Sequence, residues 1–189
     1  MRRNRSRWAT PCAWRGTRSF HDYCRRPPNA GILCRPPVSA DAVAIDSLVR
    51  ACPPLEHNSV YAYLLIATHF AGTSAVATQS SRCVGFVSAY RRPDEPSTLF
   101  VWQVAVDARV RGRGVARRLL ADILARPDLG DVRHLEATVA PDNQPSHRLF
   151  EAFAAERRAD LRETPAFTPT DFGTAHHSAE HLLRVGPLS

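Results

Sequence analysis

Between Phe100 and Leu120 the chain reads Phe-Val-Trp-Gln-Val-Ala-Val-Asp, then Ala-Arg-Val-Arg-Gly-Arg-Gly-Val-Ala-Arg-Arg-Leu-Leu. No other stretch restricts the fold as tightly. Phe100 to Val106 is almost wholly β-branched, aromatic or apolar, which suits a buried strand. From Val115 the apolar residues Val115, Leu119, Leu120, Ile123 and Leu124 return at helical spacing. Gly112 and Gly114 lie between, with Arg111 and Arg113 beside them. These residues predict a strand, a tight glycine turn and a helix.

That junction has a physical use. The first N–H groups of a helix lack intrahelical partners, and the helix dipole adds partial positive charge there. Glycines permit positive φ and close backbone approach. Successive N–H groups can then wrap a phosphate or a diphosphate, and Arg111 and Arg113 add fixed charge at the same mouth. On the two glycines alone, a plain helix start flanked by solvated arginines is an equally good reading. The whole pattern is sharper. Arg109-x-x-Gly112-x-Gly114 directly after an apolar strand resembles the acetyl-CoA pyrophosphate loop of the GCN5-related N-acetyltransferases (GNAT). It matches neither the Gly-x-Gly-x-x-Gly dinucleotide fingerprint nor the Gly-Lys-Ser/Thr of a P-loop.

At 189 residues the chain suffices for one domain with a sizeable core. Its net charge of +7 suggests nucleic acid, but the location of that charge argues otherwise. Residues 1–34 hold eight arginines and one acid, Asp22, while the remainder balances 17 basic against 17 acidic residues. The neutral remainder offers no general basic face to a phosphate backbone, so no nucleic-acid partner is expected. Residues 1–33 are expected to form an arginine-rich extension with little fixed structure, a non-functional leader, and residues 34–188 to form the domain. No apolar run reaches the roughly 18 residues of a membrane span, so no membrane partner is expected. Five cysteines, odd in number and without a Cys-x-x-Cys pair, argue against a disulfide framework or a metal site and favour the cytoplasm.

The remaining elements follow in order. Leu33–Val38 reads as a first strand ended by proline. Ser39 caps a helix to about Arg50, and Asn58-Ser59 opens another over Val60–Phe70. Ser74–Thr78 and Cys83–Tyr90 read as strands joined by a polar turn. His134–Val139 is a strand, and Pro145 suits the start of a helix to about Ala155. A loop rich in Pro and Thr leads to a last strand at His181–Val185. The order β-α-α-β-β-β-α-β-α-β-β fits an α/β chain of the GNAT fold. That fold is a mixed, mostly antiparallel sheet, splayed around the cofactor, with helices on both faces.

Several segments carry a narrower resemblance. They include Arg35-Pro36-Pro37, Asn58-Ser59-x-Tyr61-x-Tyr63-Leu64-Leu65, Val84-Gly85-Phe86-Val87-Ser88-Ala89-Tyr90-Arg91, the stretch Phe100–Asp107, and Arg184-Val185-Gly186-Pro187-Leu188. Together they resemble the L-2,4-diaminobutyrate acetyltransferases of ectoine biosynthesis. The resemblance implies acetyl transfer from acetyl-CoA to the γ-amine of L-2,4-diaminobutyrate, no metal, and a homodimer. It assigns cofactor contacts to Val104, Ala105 and Val106, to Arg111, Gly112, Arg113, Gly114, Val115 and Ala116, and to Asn143.

The same resemblance places Glu56, Tyr61, Trp102, His177 and Glu180 at the amine substrate. Glu56 stands where the family usually has Asp, as the first candidate to hold an ammonium group. Tyr61 and Trp102 would line the amine pocket, and His177 and Glu180 would lie near the substrate's carboxylate and amine. Read from the residues alone, Glu56 is equally a solvated loop acid, Trp102 a core side chain, and His177 with its neighbour His176 a solvated pair. The attacking amine must be neutral, so its proton must leave to a carboxylate, a histidine or water. Many relatives carry a tyrosine as acid on the helix after the Asn turn. Here Phe150 stands at that position, which leaves Ser146 or water. The alternatives are acetylation of another small amine or a protein N-terminus, and a silent acyl-CoA-binding module.

Overall fold

The computed structural model describes residues 31–173 and 178–188. Its strands are β1 (Ile32–Arg35), β2 (Ala75–Gln79), β3 (Arg82–Arg91), β4 (Thr98–Val106), β5 (His134–Val139), β6 (Asp160–Phe167) and β7 (Glu180–Gly186). Its helices are α1 (Ala42–Arg50), α2 (Val60–His69), α3 (Val115–Leu124) and α4 (Gln144–Arg157). The strands form one sheet in the order β1-β2-β3-β4-β5-β7-β6. Every neighbouring pair is antiparallel except β4 and β5. The expected mixed sheet and element order are found, although the sequence reading gives the next-to-last strand of that order no residues.

Two apolar layers hold the helices on opposite faces. On one, Leu99, Val101, Leu135, Ala137, Leu183 and Val185 pack with Val115, Leu119, Leu120 and Ile123 of α3 and with Phe150 and Phe153 of α4. On the other, Val76, Phe86 and Ala105 pack with Ile45, Leu48 and Val49 of α1 and with Tyr63 and Ile66 of α2. These side chains are removed from water, and burial of this kind contributes on the order of 1.5–3 kcal/mol for each large one. The β2–β3 connection is a two-residue turn. Ser80 (φ 48°) and Ser81 (φ 63°) both take the left-handed conformation that a tight hairpin needs.

Three boundaries differ from the sequence reading. β1 ends at Arg35 rather than Val38, because Pro36 has no N–H to give the ladder. Ser39 does not cap α1; it opens a short 3₁₀ turn, Ser39–Asp41, and the α-helix begins at Ala42. Asp41 organises that turn, accepting from Arg35 at 2.7 and 2.8 Å and from the Val38 N–H at 2.8 Å. The Pro- and Thr-rich stretch before the last strand is itself largely strand, β6. It is an edge strand carrying Pro165, with a register shift beside that proline, and its side chains are mostly exposed. Such a strand has no buried face, so no apolar alternation marks it in the sequence.

A buried carboxylate ties the middle of the sheet together. Glu136 of β5 is 1% exposed and accepts from Arg92 at 2.8 Å and from Arg184 of β7 at 2.5 Å. Arg184 also bridges to Glu95 in the β3–β4 loop at 2.5 and 2.9 Å. The buried charge is thus paired twice, as its desolvation requires.

Candidate active site

β4 and β5 pair only through Thr98–Phe100 and His134–Glu136. Beyond that the strands part. Among the described residues, β4 from Val101 to Val106 has β3 on one side and no strand on the other, while β5 beyond Glu136 pairs with β7 alone. The Glu136 cluster therefore sits at the closed end of a notch, where Phe100 opposes Glu136 in the last pair.

Trp102 shapes the β4 wall of that notch. On β3, Ser88 pairs with Gln103 and Ala89 with Val101, so Trp102 is the extra residue of a β-bulge. The bulge changes the phase of the strand. Leu99 and Val101 face the α3–α4 core, and after the bulge it is Val104 and Val106 that pack there, while Ala105 joins the α1–α2 core. Trp102 itself is 54% exposed. It is not the core side chain that a residue inside a central strand suggests.

At the wide end of the notch β4 runs into the glycine turn. Asp107 caps a short 3₁₀ turn over Ala108–Val110, accepting from the Arg109 N–H at 3.0 Å and from Arg109 Nε at 2.9 Å. That guanidinium holds the Asp107 carboxyl far below the usual carboxylate range. Arg109, which opens the motif, is thus engaged in shaping the turn. Gly112 (φ 75°) and Gly114 (φ 71°) are left-handed, and Gly114 is the residue before the first turn of α3. A Cβ on Gly112 would meet nothing within 4 Å, so its position demands glycine for its φ and leaves open space above it. Among the described residues, the amides of Gly112, Gly114, Val115 and Ala116 donate to no protein group. Arg111 folds back so that its Nε donates to the Val106 carbonyl at 3.0 Å, and no carboxylate among the described residues pairs with it. A helix start of this kind, with cationic neighbours, can hold an anion.

Gly85 fixes where that helix starts. A Cβ there would lie 2.9 Å from Val115 Cγ1 and 3.1 Å from Leu119 Cδ1. The bare backbone of β3 lets α3 sit directly against the sheet.

Of the candidate substrate residues, Trp102 lies in the middle of β4 and the Glu56 segment beside it. Ser59 caps α2, accepting from the Ala62 N–H at 3.3 Å, and the segment before it crosses over β4. The Glu56 carbonyl accepts from Gln103 Nε2 at 2.6 Å, which sets the Glu56 segment next to Trp102. Tyr61, in the first turn of α2, is 68% exposed. Glu180 opens β7, the strand behind β5, and lies just past the end of β5, where Val139 pairs with His181. His177 and His176 lie outside the described residues. Asn143 accepts from the Ser146 N–H at 3.2 Å as the cap of α4, so one part of its amide is committed to the helix. Phe150 is buried in the α3–α4 core and presents no acid.

Cys34, Cys52 and Cys83 are free thiols among the described residues. Burial pushes the Cys83 thiol up to about 11, far from a reactive thiolate. No group of three or more His, Cys, Asp or Glu among the described residues is arranged for a metal. No helix among them is long and apolar enough to cross a membrane.

Sequence reasoning missed Gln103, Tyr63 and Gly85 as organisers of the site. Gln103 and Tyr63 act across tens of residues, and no local pattern announces that. The signal for Gly85 was a glycine inside an otherwise apolar strand, a known mark of close approach by a neighbouring element.

The sequence model of the Acetyltransferase (GNAT) family matches residues 42–154. An L-2,4-diaminobutyric acid acetyltransferase of Bordetella parapertussis is 51% identical over 156 residues, covering 82% of this chain and 84% of its own. One from Chromohalobacter salexigens is 48% identical over 158 residues, covering 83% and 82%. Among solved structures, a diaminobutyrate acetyltransferase of Paenibacillus lautus in complex with its substrate L-2,4-diaminobutyric acid and coenzyme A is 35% identical. It superposes with a TM-score of 0.79, covering 82% of this chain and 95% of that one.

Proposed function

The chain belongs to the GNAT acetyltransferases, and within them to the diaminobutyrate acetyltransferase family, and from that premise we propose how its notch works. It transfers the acetyl group of acetyl-CoA to the γ-amino group of L-2,4-diaminobutyrate, releasing N4-acetyl-L-2,4-diaminobutyrate and coenzyme A, a step towards ectoine. One observation carries the reading: β4 has no β5 beside it beyond Phe100, and at the far end of that open edge the chain turns into a helix whose first amides donate to no group among the described residues. A thioester substrate with a diphosphate at one end and an amide-bearing arm at the other fits that surface.

Each residue has a task in this reading. The amides between Gly112 and Ala116, with Arg111 and Arg113, hold the diphosphate. The free edge of β4 from Val101 to Val106 takes the pantetheine arm as an added strand and aims an N–H at the thioester oxygen, where negative charge develops. Asn143 contacts the arm from the start of α4. Glu56 and Glu180 hold the ammonium groups, while Trp102 and Tyr61 offer aromatic faces. His177 lies near the substrate carboxylate. Transfer is direct in this reading, since none of the five cysteines lies in a segment assigned to the pocket. The amine loses its proton to a carboxylate, to His177 or to water. Holding both reactants in place supplies up to about 7–11 kcal/mol of the barrier reduction. The enzyme works as a cytoplasmic homodimer.

The test is acetyl-CoA-dependent release of coenzyme A thiol across a panel of amines, with the product identified by NMR. Diaminobutyrate should be turned over with kcat/KM at least roughly 100-fold above that of ornithine or lysine, about 2.7 kcal/mol. Equal turnover of all three removes the substrate assignment. Binding of acetyl-CoA with no turnover of any amine favours a silent acyl-CoA module.

A further inference from the structure

Tyr63 is fully buried, with its ring edge-on to Phe86 at 5.9 Å, yet it is a tyrosine and not a phenylalanine. Its hydroxyl is spent on one short chain of hydrogen bonds. The Asn58 N–H donates to Tyr63 Oη at 3.2 Å, and Tyr63 Oη lies 3.3 Å from Gln103 Oε1, to which it donates. Gln103 Nε2 then donates to the Glu56 carbonyl at 2.6 Å. The chain leaves the 56–58 segment, enters α2, crosses to β4 and returns to the same segment. It ties a loop with no regular secondary structure to the one strand that borders the notch.

The bulge makes this possible. In a regular strand with no bulge at Trp102, Gln103 would continue the phase of Leu99 and Val101 and point into the α3–α4 core. With it, Gln103 shares a face with Ala105, which packs in the α1–α2 layer beside Tyr63. One irregularity therefore leaves Trp102 half exposed on the strand that borders the notch and turns its neighbour under the loop that carries Glu56.

We propose that Gln103 and Tyr63 are positioning residues for the amine substrate: they latch the 56–58 segment onto β4 so that Glu56 and Trp102 are held at a fixed separation. The proposal rests on the reading of the notch given above, because it takes Glu56 and Trp102 as parts of the amine site. Neither Gln103 nor Tyr63 needs to touch substrate. The latch acts on how well the amine is bound, and the distant diphosphate loop does not depend on it.

Two variants break the latch while keeping shape. Gln103→Met removes both bonds of the amide at nearly constant volume, and Tyr63→Phe removes only the hydroxyl. In the full-length protein each should raise KM for diaminobutyrate by roughly tenfold while KM for acetyl-CoA stays within about twofold. The double variant should be little worse than either single one, because both residues belong to one chain of bonds. Amide hydrogen exchange over residues 56–58, measured without any substrate, should accelerate by roughly tenfold in both variants. Unchanged diaminobutyrate KM, an equal rise in both KM values, multiplicative effects in the double variant, or unchanged exchange would each overturn the proposal. If the wild-type chain prefers another amine, the substrate assignment fails, and the same comparison on that amine, with the exchange measurement, still decides the latch.

Discussion

Trp102 separates two accounts of one side chain. A tryptophan packed in a central strand costs about 3–5 kcal/mol when cut to alanine. Half exposed at a bulge, Trp102 should cost under about 1 kcal/mol in thermal or urea unfolding, while Trp102→Ala raises KM for diaminobutyrate by roughly tenfold or more. Large destabilisation with unchanged KM would return it to the core. Gly112 makes the converse case. Its open, left-handed position tolerates the backbone only as glycine, so Gly112→Asp should weaken acetyl-CoA binding by at least roughly tenfold through strain and added repulsion. Titration calorimetry checks it, and unchanged affinity counts against the loop. At Gly85 a methyl group would press on Val115 and Leu119, so Gly85→Ala should destabilise by about 1–3 kcal/mol and lower the melting temperature. Gly112 and Gly114 could be read from the sequence because positive φ and residue type are locally linked. Tyr61 and Trp102 could be placed only through family resemblance, since an exposed aromatic and a buried one look alike in sequence. Gln103 and Tyr63 join segments 40 to 47 positions apart, and nothing local encodes such a bond.

Among the elements, β4 and α3 were legible because both carry strong apolar periodicity, and α3 adds a glycine start. β6 was not, because an edge strand with both faces near water needs no apolar alternation. The same reasoning about edges applies to β4 beyond Phe100, an internal edge that no described strand covers. Coenzyme A should therefore protect amides of Val101–Val106 and of the first turn of α3 from hydrogen exchange. Amides of β5 and β7 between Ala137 and Val139 and between His181 and Leu183 are already paired with each other and should change far less. Uniform protection over both groups would mean that the arm does not enter as a strand.

Among the described residues, charge is arranged in arginine–carboxylate pairs, some within one turn and some between elements. Arg184 holds the Glu95 carboxyl down at about 2, from an ordinary 4.5, and Arg35 lowers Asp41 in the same way. Asp94, Asp107 and Asp131 are lowered by Arg92, Arg109 and Arg91. On acidification the unfolded chain takes up these protons first, so the stabilisation is complete above about pH 5 and drains away as pH falls through the folded values. The melting temperature should be level from about pH 7 to 5, then drop between about pH 4.5 and 2, with a weaker drop in high salt. A drop that begins near neutrality would point to other groups. The account as a whole stands on where the diphosphate sits. A crystal structure of the protein with coenzyme A and diaminobutyrate measures that directly. Diphosphate oxygens at about 2.7–3.2 Å from amides between Gly112 and Ala116, with the amine beside Trp102 and Glu56, is the predicted result. Coenzyme A bound elsewhere, with those amides still unpaired, would contradict it.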